Sequence, residues 1–195
     1  MSRGAVRTRG DGVPPSDGTE HGSTPISATG LLGTQVVLGR MRLGTVHDVL
    51  LGADLGVVLG LQVETDAGRS CFLPWAGAVP ADGCVFVALP TLLLGDVELE
   101  YYVASGIRLN EIVGVDLGEN GPSVLVRDIT FGPDGSTEDV ILASSGRSRR
   151  RVPVGDLRVH WSAGQTPRVA LARKRRATGS DASERSAPAV RRRAA

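Results

Sequence analysis

A chain of 195 residues with 41% apolar but only 4% aromatic side chains must build its core mainly from Leu and Val methyl contacts. Its net charge of +1 conceals a split: the residues from Gln165 onward carry about +7 and the rest about −6, which excludes a uniformly basic nucleic-acid-binding fold. Two cysteines, Cys71 and Cys84, form no disulfide framework or metal pattern, so a reducing, cytoplasmic setting is expected. No run approaches the roughly 18 to 20 apolar residues of a membrane span, and no apolar stretch follows the N-terminal arginines as a secretory signal would require.

Residues 1–28 are rich in Gly, Ser, Pro and Thr. They bury too little apolar surface to offset their ordering entropy, which predicts a disordered arm. From Leu31 the text becomes short apolar runs separated by turn residues. Strands are expected at Gln35 to Leu38, Gly44 to Leu51, Val57 to Glu64, Arg69 to Leu73 and Gly83 to Leu89. The breaks fall at Gly39-Arg40, at 52–56, at Asp66-Ala67-Gly68 and at Pro80-Ala81-Asp82. Five strands at this spacing predict a small antiparallel barrel or sandwich over residues 29–95. Val57 to Val63 is too largely apolar to show clean alternation, as a strand buried on both faces would be.

Residues 96–106 read as a linking helix. Asp96 is placed to cap it, Glu98 and Glu100 suit its positive end, and Gly106 ends it. Val97, Tyr101 and Ala104 are its expected packing face.

Beyond the helix the pattern repeats over residues 107–163 at an offset of about 80 residues. Val46 to Gly52 aligns with Val126 to Gly132, Gly56 with Gly135, Val57 to Val63 with Ser136 to Leu142, and Leu73-Pro74-Trp75 with Val152-Pro153-Val154. Leu31-Leu32-Gly33 is answered by Ile112-Val113-Gly114. The second copy is the more polar, with Ser136 to Asp139 opposite Val57 to Gly60. Residues 164–195 form a basic tail, again expected to be disordered.

Leu32-Gly33 with Val36 or Val37, then Gly44-x-Val46-x-Asp48-Val49, a glycine turn, a Val/Leu strand and Pro74 before Val79, together resemble the PRC-barrel domain. The resemblance covers residues from Ile26 to Leu89, and Leu109 to Trp161 less closely, with Val124 standing where the first copy has Gly44. It implies two small antiparallel PRC-type β-barrels joined by a short helix. It further implies a non-catalytic module that binds protein partners or lies against membranes. The family also supplies the C-terminal domain of a bacterial ribosome-maturation factor, so ribosome or RNA association and peripheral membrane association are the alternatives. A fold-level likeness does not choose among partners.

The residues themselves offer little chemistry. His21, His47 and His160 lie far apart, and no His-x-x-His, Cys-x-x-Cys or Asp-x-Asp spacing occurs, so no catalytic centre, metal or cofactor is expected. Cys71 and Cys84 read as small core residues in preference to a redox pair. Asp48 and Asp128 hold the same place in both copies and read as acceptors of backbone N–H groups at the hairpins in preference to a paired acid site.

Two basic features remain. Arg147-Ser148-Arg149-Arg150-Arg151 places Arg147, Arg149 and Arg151 on one face of a strand. That strand is either a docking site for acidic groups or an edge charged against self-pairing. With Phe72 and Trp75, expected to be exposed, these arginines are the candidate protein-interaction residues. In the tail, Arg173, Lys174, Arg175, Arg176, Arg191, Arg192 and Arg193 are either a non-specific polyanion tether toward RNA, DNA or anionic lipid, or a solubilising end.

Overall fold

The computed structural model describes residues 24–81, 83–117, 123–144, 148–162 and 165–172. The chain is mainly β, with a large sheet that curls into a partial barrel. Strand β1 (Ile26–Ser27) leads into a single helical turn, α1 (Ala28–Leu31), and is followed by β2 (Gln35–Leu38), the long β3 (Met41–Gly52), β4 (Val58–Thr65) and β5 (Ser70–Pro74). A 3-10 turn at Trp75–Gly77 leads to β6 (Ala78–Ala81) and β7 (Cys84–Val87). Helix α2 (Asp96–Ser105), β8 (Gly106–Arg108) and the short α3 (Leu109–Ile112) carry the chain into β9 (Val124–Phe131), β10 (Thr137–Ser144) and β11 (Arg149–Pro153). A further 3-10 turn, Val154–Asp156, precedes β12 (Leu157–His160), which pairs with β13 (Arg168–Leu171).

The expected strands all appear: 35–38 unchanged, 44–51 lengthened to Met41–Gly52, and 57–64, 69–73 and 83–89 shifted or trimmed by one to a few residues. β6 arises where only a break was expected, pairing with β7 around Pro80. The arm and tail boundaries also move. Ile26 and Ser27 pair with Phe131 and Thr130, and Arg168 to Leu171 pair with β12, so order begins before residue 28 and continues past residue 164. β1 takes its hydrogen bonds from a strand distant in sequence, which local composition does not report, whereas β13 folds back on the strand just before it.

The sheets are connected by exchange. The largest runs β5-β4-β3-β2-β7-β6, with β8 added to the C-terminal part of β3, and all its pairings are antiparallel except β2 with β7. A four-stranded sheet runs β1-β9-β10-β11. The segment that opens the chain is therefore held by β9 of the second half, and β8, which opens the second half, is held by β3 of the first. The two hairpin turns also meet. Val57 and Ser136 form an antiparallel bridge, with Val58 N–H donating to the Gly135 carbonyl at 2.8 Å and Thr137 N–H to the Gly56 carbonyl at 3.0 Å. One continuous apolar cluster follows from this interlocking. It contains Val49, Leu61 and Leu73 of the first half together with Ile129, Phe131, Val140 and Val152 of the second.

Helix α2 packs through a different face from the one expected. Leu99 is buried, Tyr102 and Val103 pack beside it against Leu50 and Phe72, and Val97 and Tyr101 are 76% and 66% exposed. Ala104 is exposed as well. Both stripes are apolar at helical spacing, so periodicity alone does not choose between them. The N-cap is Gly95, not Asp96, which lies in the first turn with Glu98. Gly106 ends the helix at its C-cap, as expected.

Candidate interaction face

Two sheet faces can be compared. On the first half, the outer face of β3-β4-β5 carries Leu50 and Phe72 and is covered by α2. Phe72 stacks on Tyr102 with ring centroids 4.0 Å apart and planes 20° from parallel, a contact worth about 0.5–1.5 kcal/mol beyond its buried area. The ring fits because Gly60 lies beneath it: a Cβ there would stand 2.6 Å from the Phe72 ring. Leu94 further covers the edge of β5, its N–H donating to the Phe72 carbonyl at 2.8 Å and its carbonyl accepting from Phe72 N–H at 3.0 Å. Gln62, across from Phe72, is a polar residue buried on this covered face.

On the second half, the register that sets Phe72 opposite Gln62 sets Arg151 opposite Ile141. This face carries no covering helix among the described residues. It forms an open groove of about 1060 Å³ whose lining includes Ser27, Arg127, Thr130, Ile141, Arg149 and Arg151. The three arginines are exposed, and among the described residues none makes an ion pair; the pairs present are Arg42 with Asp66 at 3.3 Å and His47 with Glu64 at 3.9 Å.

Asp48 and Asp128, at matching places in the two halves, both accept backbone N–H groups. Asp128 accepts from the N–H of Ile129 at 2.8 Å, from the N–H of Thr29 at 2.9 Å and from the hydroxyl of Ser27 at 2.6 Å. Asp48 accepts from Val49 N–H at 2.8 Å and from Asn110 N–H at 3.4 Å. Each carboxylate therefore receives the start of the short helix contributed by the opposite half, a long-range clamp in place of the expected hairpin contact. Asp48 is only 2% exposed, and burial pushes its carboxyl above the usual 3.8 despite the opposing pull of those N–H groups and of Arg108 and His47.

Of the candidate interaction residues, Arg149 and Arg151 lie on the groove. Phe72 is fully buried beneath α2, and Trp75 is 6% exposed, with its indole against the second half, so the exposure expected of both is not observed. Each is an apolar ring beside a partner that local sequence does not reveal. Arg147 lies outside the described residues, as do Arg173, Lys174, Arg175, Arg176, Arg191, Arg192 and Arg193. Sequence reasoning missed Arg127 and Ile141. The signal for Arg127 was its place beside Asp128, on the strand that β10 separates from the basic run.

Cys71 and Cys84 are free thiols, on strands that β4, β3 and β2 separate in the sheet order. Among the described residues no helix is long and apolar enough to cross a membrane, and no group of three His, Cys, Asp or Glu side chains is placed to hold a metal ion. Comparison of the chain with protein-family models gave no match, and comparison with curated proteins gave none.

Proposed function

We propose that the chain is a non-catalytic protein-interaction module, formed by two PRC-barrel-like units that arose by duplication and interlock through exchanged opening segments. Several equivalences support the duplication. α1 and α3 each precede a glycine at positive φ, Gly33 at 76° and Gly114 at 90°. Leu55 at φ 63°, and not the Gly56 that the sequence pattern sets opposite Gly135, matches Gly135 at φ 85°: Leu55 N–H donates to the Gly52 carbonyl as Gly135 N–H does to that of Gly132. Asp48 and Asp128 make matching clamps.

The observation that carries the functional reading is the unequal treatment of the two equivalent faces. The first is apolar and closed by α2; the second is open and bears Arg127, Arg149 and Arg151 around Ile141. Exposed arginines around an apolar centre are an interface composition. A protein partner is favoured over nucleic acid because no aromatic side chain lines the groove to stack on bases. Asp128, the carboxylate in the groove, is held by Ser27, Thr29 and Ile129, a clamp and not a poised base.

The test is capture from cell extract at low and high salt, with the intact chain and with the variant Arg127→Glu/Arg149→Glu/Arg151→Glu. Proteins that survive high salt on the intact chain and disappear with the variant support the module. Capture of nucleic acid alone, lost with salt and indifferent to the variant, overturns it and favours the polyanion tether.

A further inference from the structure

The edge of β11 has a defined hydrogen-bonding state. In an antiparallel ladder, directly opposed residues alternate between pairs that exchange both backbone hydrogen bonds and pairs that exchange none. On the first half, Thr65 N–H donates to the Arg69 carbonyl at 2.8 Å, which makes that pair hydrogen-bonded and Gln62–Phe72, three steps along, non-bonded. The backbone N–H and C=O of Phe72 accordingly point away from β4, where Leu94 takes both.

The second half has the same phase. Ser144 N–H donates to the Ser148 carbonyl at 3.4 Å, so the pairs Ala143–Arg149 and Ile141–Arg151 are non-bonded. Arg149 and Arg151 therefore turn their backbone N–H and C=O groups to the open edge of the sheet, while Leu142–Arg150 and Val140–Val152 hold β11 to β10. Among the described residues β11 pairs with β10 only, and nothing stands where Leu94 stands on β5.

We propose that this edge binds an extended peptide segment of a partner protein carrying acidic side chains at alternate positions. A strand added here pairs with Arg149 and Arg151 through the backbone, as Leu94 does with Phe72. The peptide residues opposite Arg149 and Arg151 then lie two apart in sequence and project their side chains onto the groove face, beside the two guanidinium groups. Carboxylates at those two positions meet Arg149 and Arg151 as charge-assisted pairs, and Arg127 borders the same groove. The recognised pattern is acid-x-acid in a β-strand, with the backbone supplying affinity and the alternate side chains specificity. The same arginines repel a second copy of β11, which keeps the edge from pairing with itself.

This inference rests on the docking reading above and names its occupant. The experiment measures binding of a fluorescently labelled peptide of alternating Glu and Val to the full chain. The comparisons are a peptide of the same composition with its glutamates contiguous, inorganic phosphate and phosphatidylserine vesicles. The alternating peptide is expected to bind at least about tenfold more tightly than the contiguous one. Arg151→Ala weakens binding by loss of charge. Arg151→Pro weakens it by about a further tenfold, because it removes an N–H that faces the open edge and none that holds β11 to β10.

Should Arg151→Pro fail to fold, slowed exchange of the Arg149 and Arg151 amides in the wild-type chain on adding peptide provides the same readout. Equal binding of both peptides, equal affinity of the Ala and Pro variants, or unchanged amide exchange overturns edge pairing. Preference for phosphate or vesicles over peptide overturns the choice of occupant. If extract partners are still lost with the triple arginine variant while the peptide fails, the edge inference alone falls; if neither binds, the docking reading falls with it.

Discussion

The indole N–H of Trp75 donates to the carbonyl of Pro133 at 3.1 Å, while the same ring meets Phe131 edge-on with centroids 5.0 Å apart. One side chain thus ties the end of β5 to the turn that joins β9 to β10, and through it the two halves share a core. Trp75→Ala is expected to cost about 3–5 kcal/mol, and Trp75→Phe, which keeps most of the packing but loses the hydrogen bond, about 1 kcal/mol. Denaturant titration followed by far-UV circular dichroism reads both values. A single transition in each variant is the expected form, since the apolar cluster spans both halves.

Gly135 lies under that ring at φ 85°, and a Cβ there would stand 2.5 Å from Trp75 Cδ1. Gly33 has a similar φ of 76° with nothing near its Cβ position. Gly33→Ala therefore incurs only the left-handed backbone penalty of about 1–2 kcal/mol, whereas Gly135→Ala adds the displacement of Trp75. The second variant is expected to be the less stable, and the gap between them to shrink when each is made in a Trp75→Ala background.

Asp48 gives a pH dependence of known sign. Its folded carboxyl holds a proton to higher pH than the usual 3.8, so between the two values the folded state binds more protons than the unfolded. The group's contribution to stability accordingly falls as pH rises through 3.8 and levels off above the folded value. Asp48→Asn keeps an acceptor for the Val49 and Asn110 N–H groups and removes that dependence. Relative to wild type, the variant is expected to gain stability as pH is raised from below 3.8 to neutrality; a difference that does not vary with pH would contradict this.

Asp128 clamps the opening segment of the chain through Ser27 and Thr29. Asp128→Ala leaves those donors without their carboxylate and is expected to cost about 1–3 kcal/mol. Amide exchange at Thr29 should accelerate well before exchange in the interior of β4, because β1 holds only the two-residue register of Ile26 and Ser27 with β9.

Much of the secondary structure was legible in the sequence because it is local. Glycine and aspartate turns at Gly39, Asp54 and Asp66 bound apolar runs of strand length, and a helix from Asp96 that ends at Gly106 was visible, its cap misplaced by one residue. The basic run of β11 was likewise visible, and two of its arginines do lie on the candidate face. Pairing was not legible. Whether Ile26 joins β9, or Leu94 joins Phe72, depends on segments that are remote in sequence or irregular in pattern, and the hydrogen bonds that decide it carry no residue signature.

The same division explains the misplaced aromatics. Phe72 and Arg151 occupy corresponding sites on strands of the same register, and their side chains point to corresponding faces. What distinguishes them is the helix packed over one and not over the other. The sequence by itself determined the mainly β character, the turn positions and the charge on β11, since these depend on backbone preference and local composition. Only the tertiary structure decided which face of α2 is buried, that Trp75 bridges the halves, and that the edge at Arg151 is open, because burial belongs to the pair of surfaces that meet.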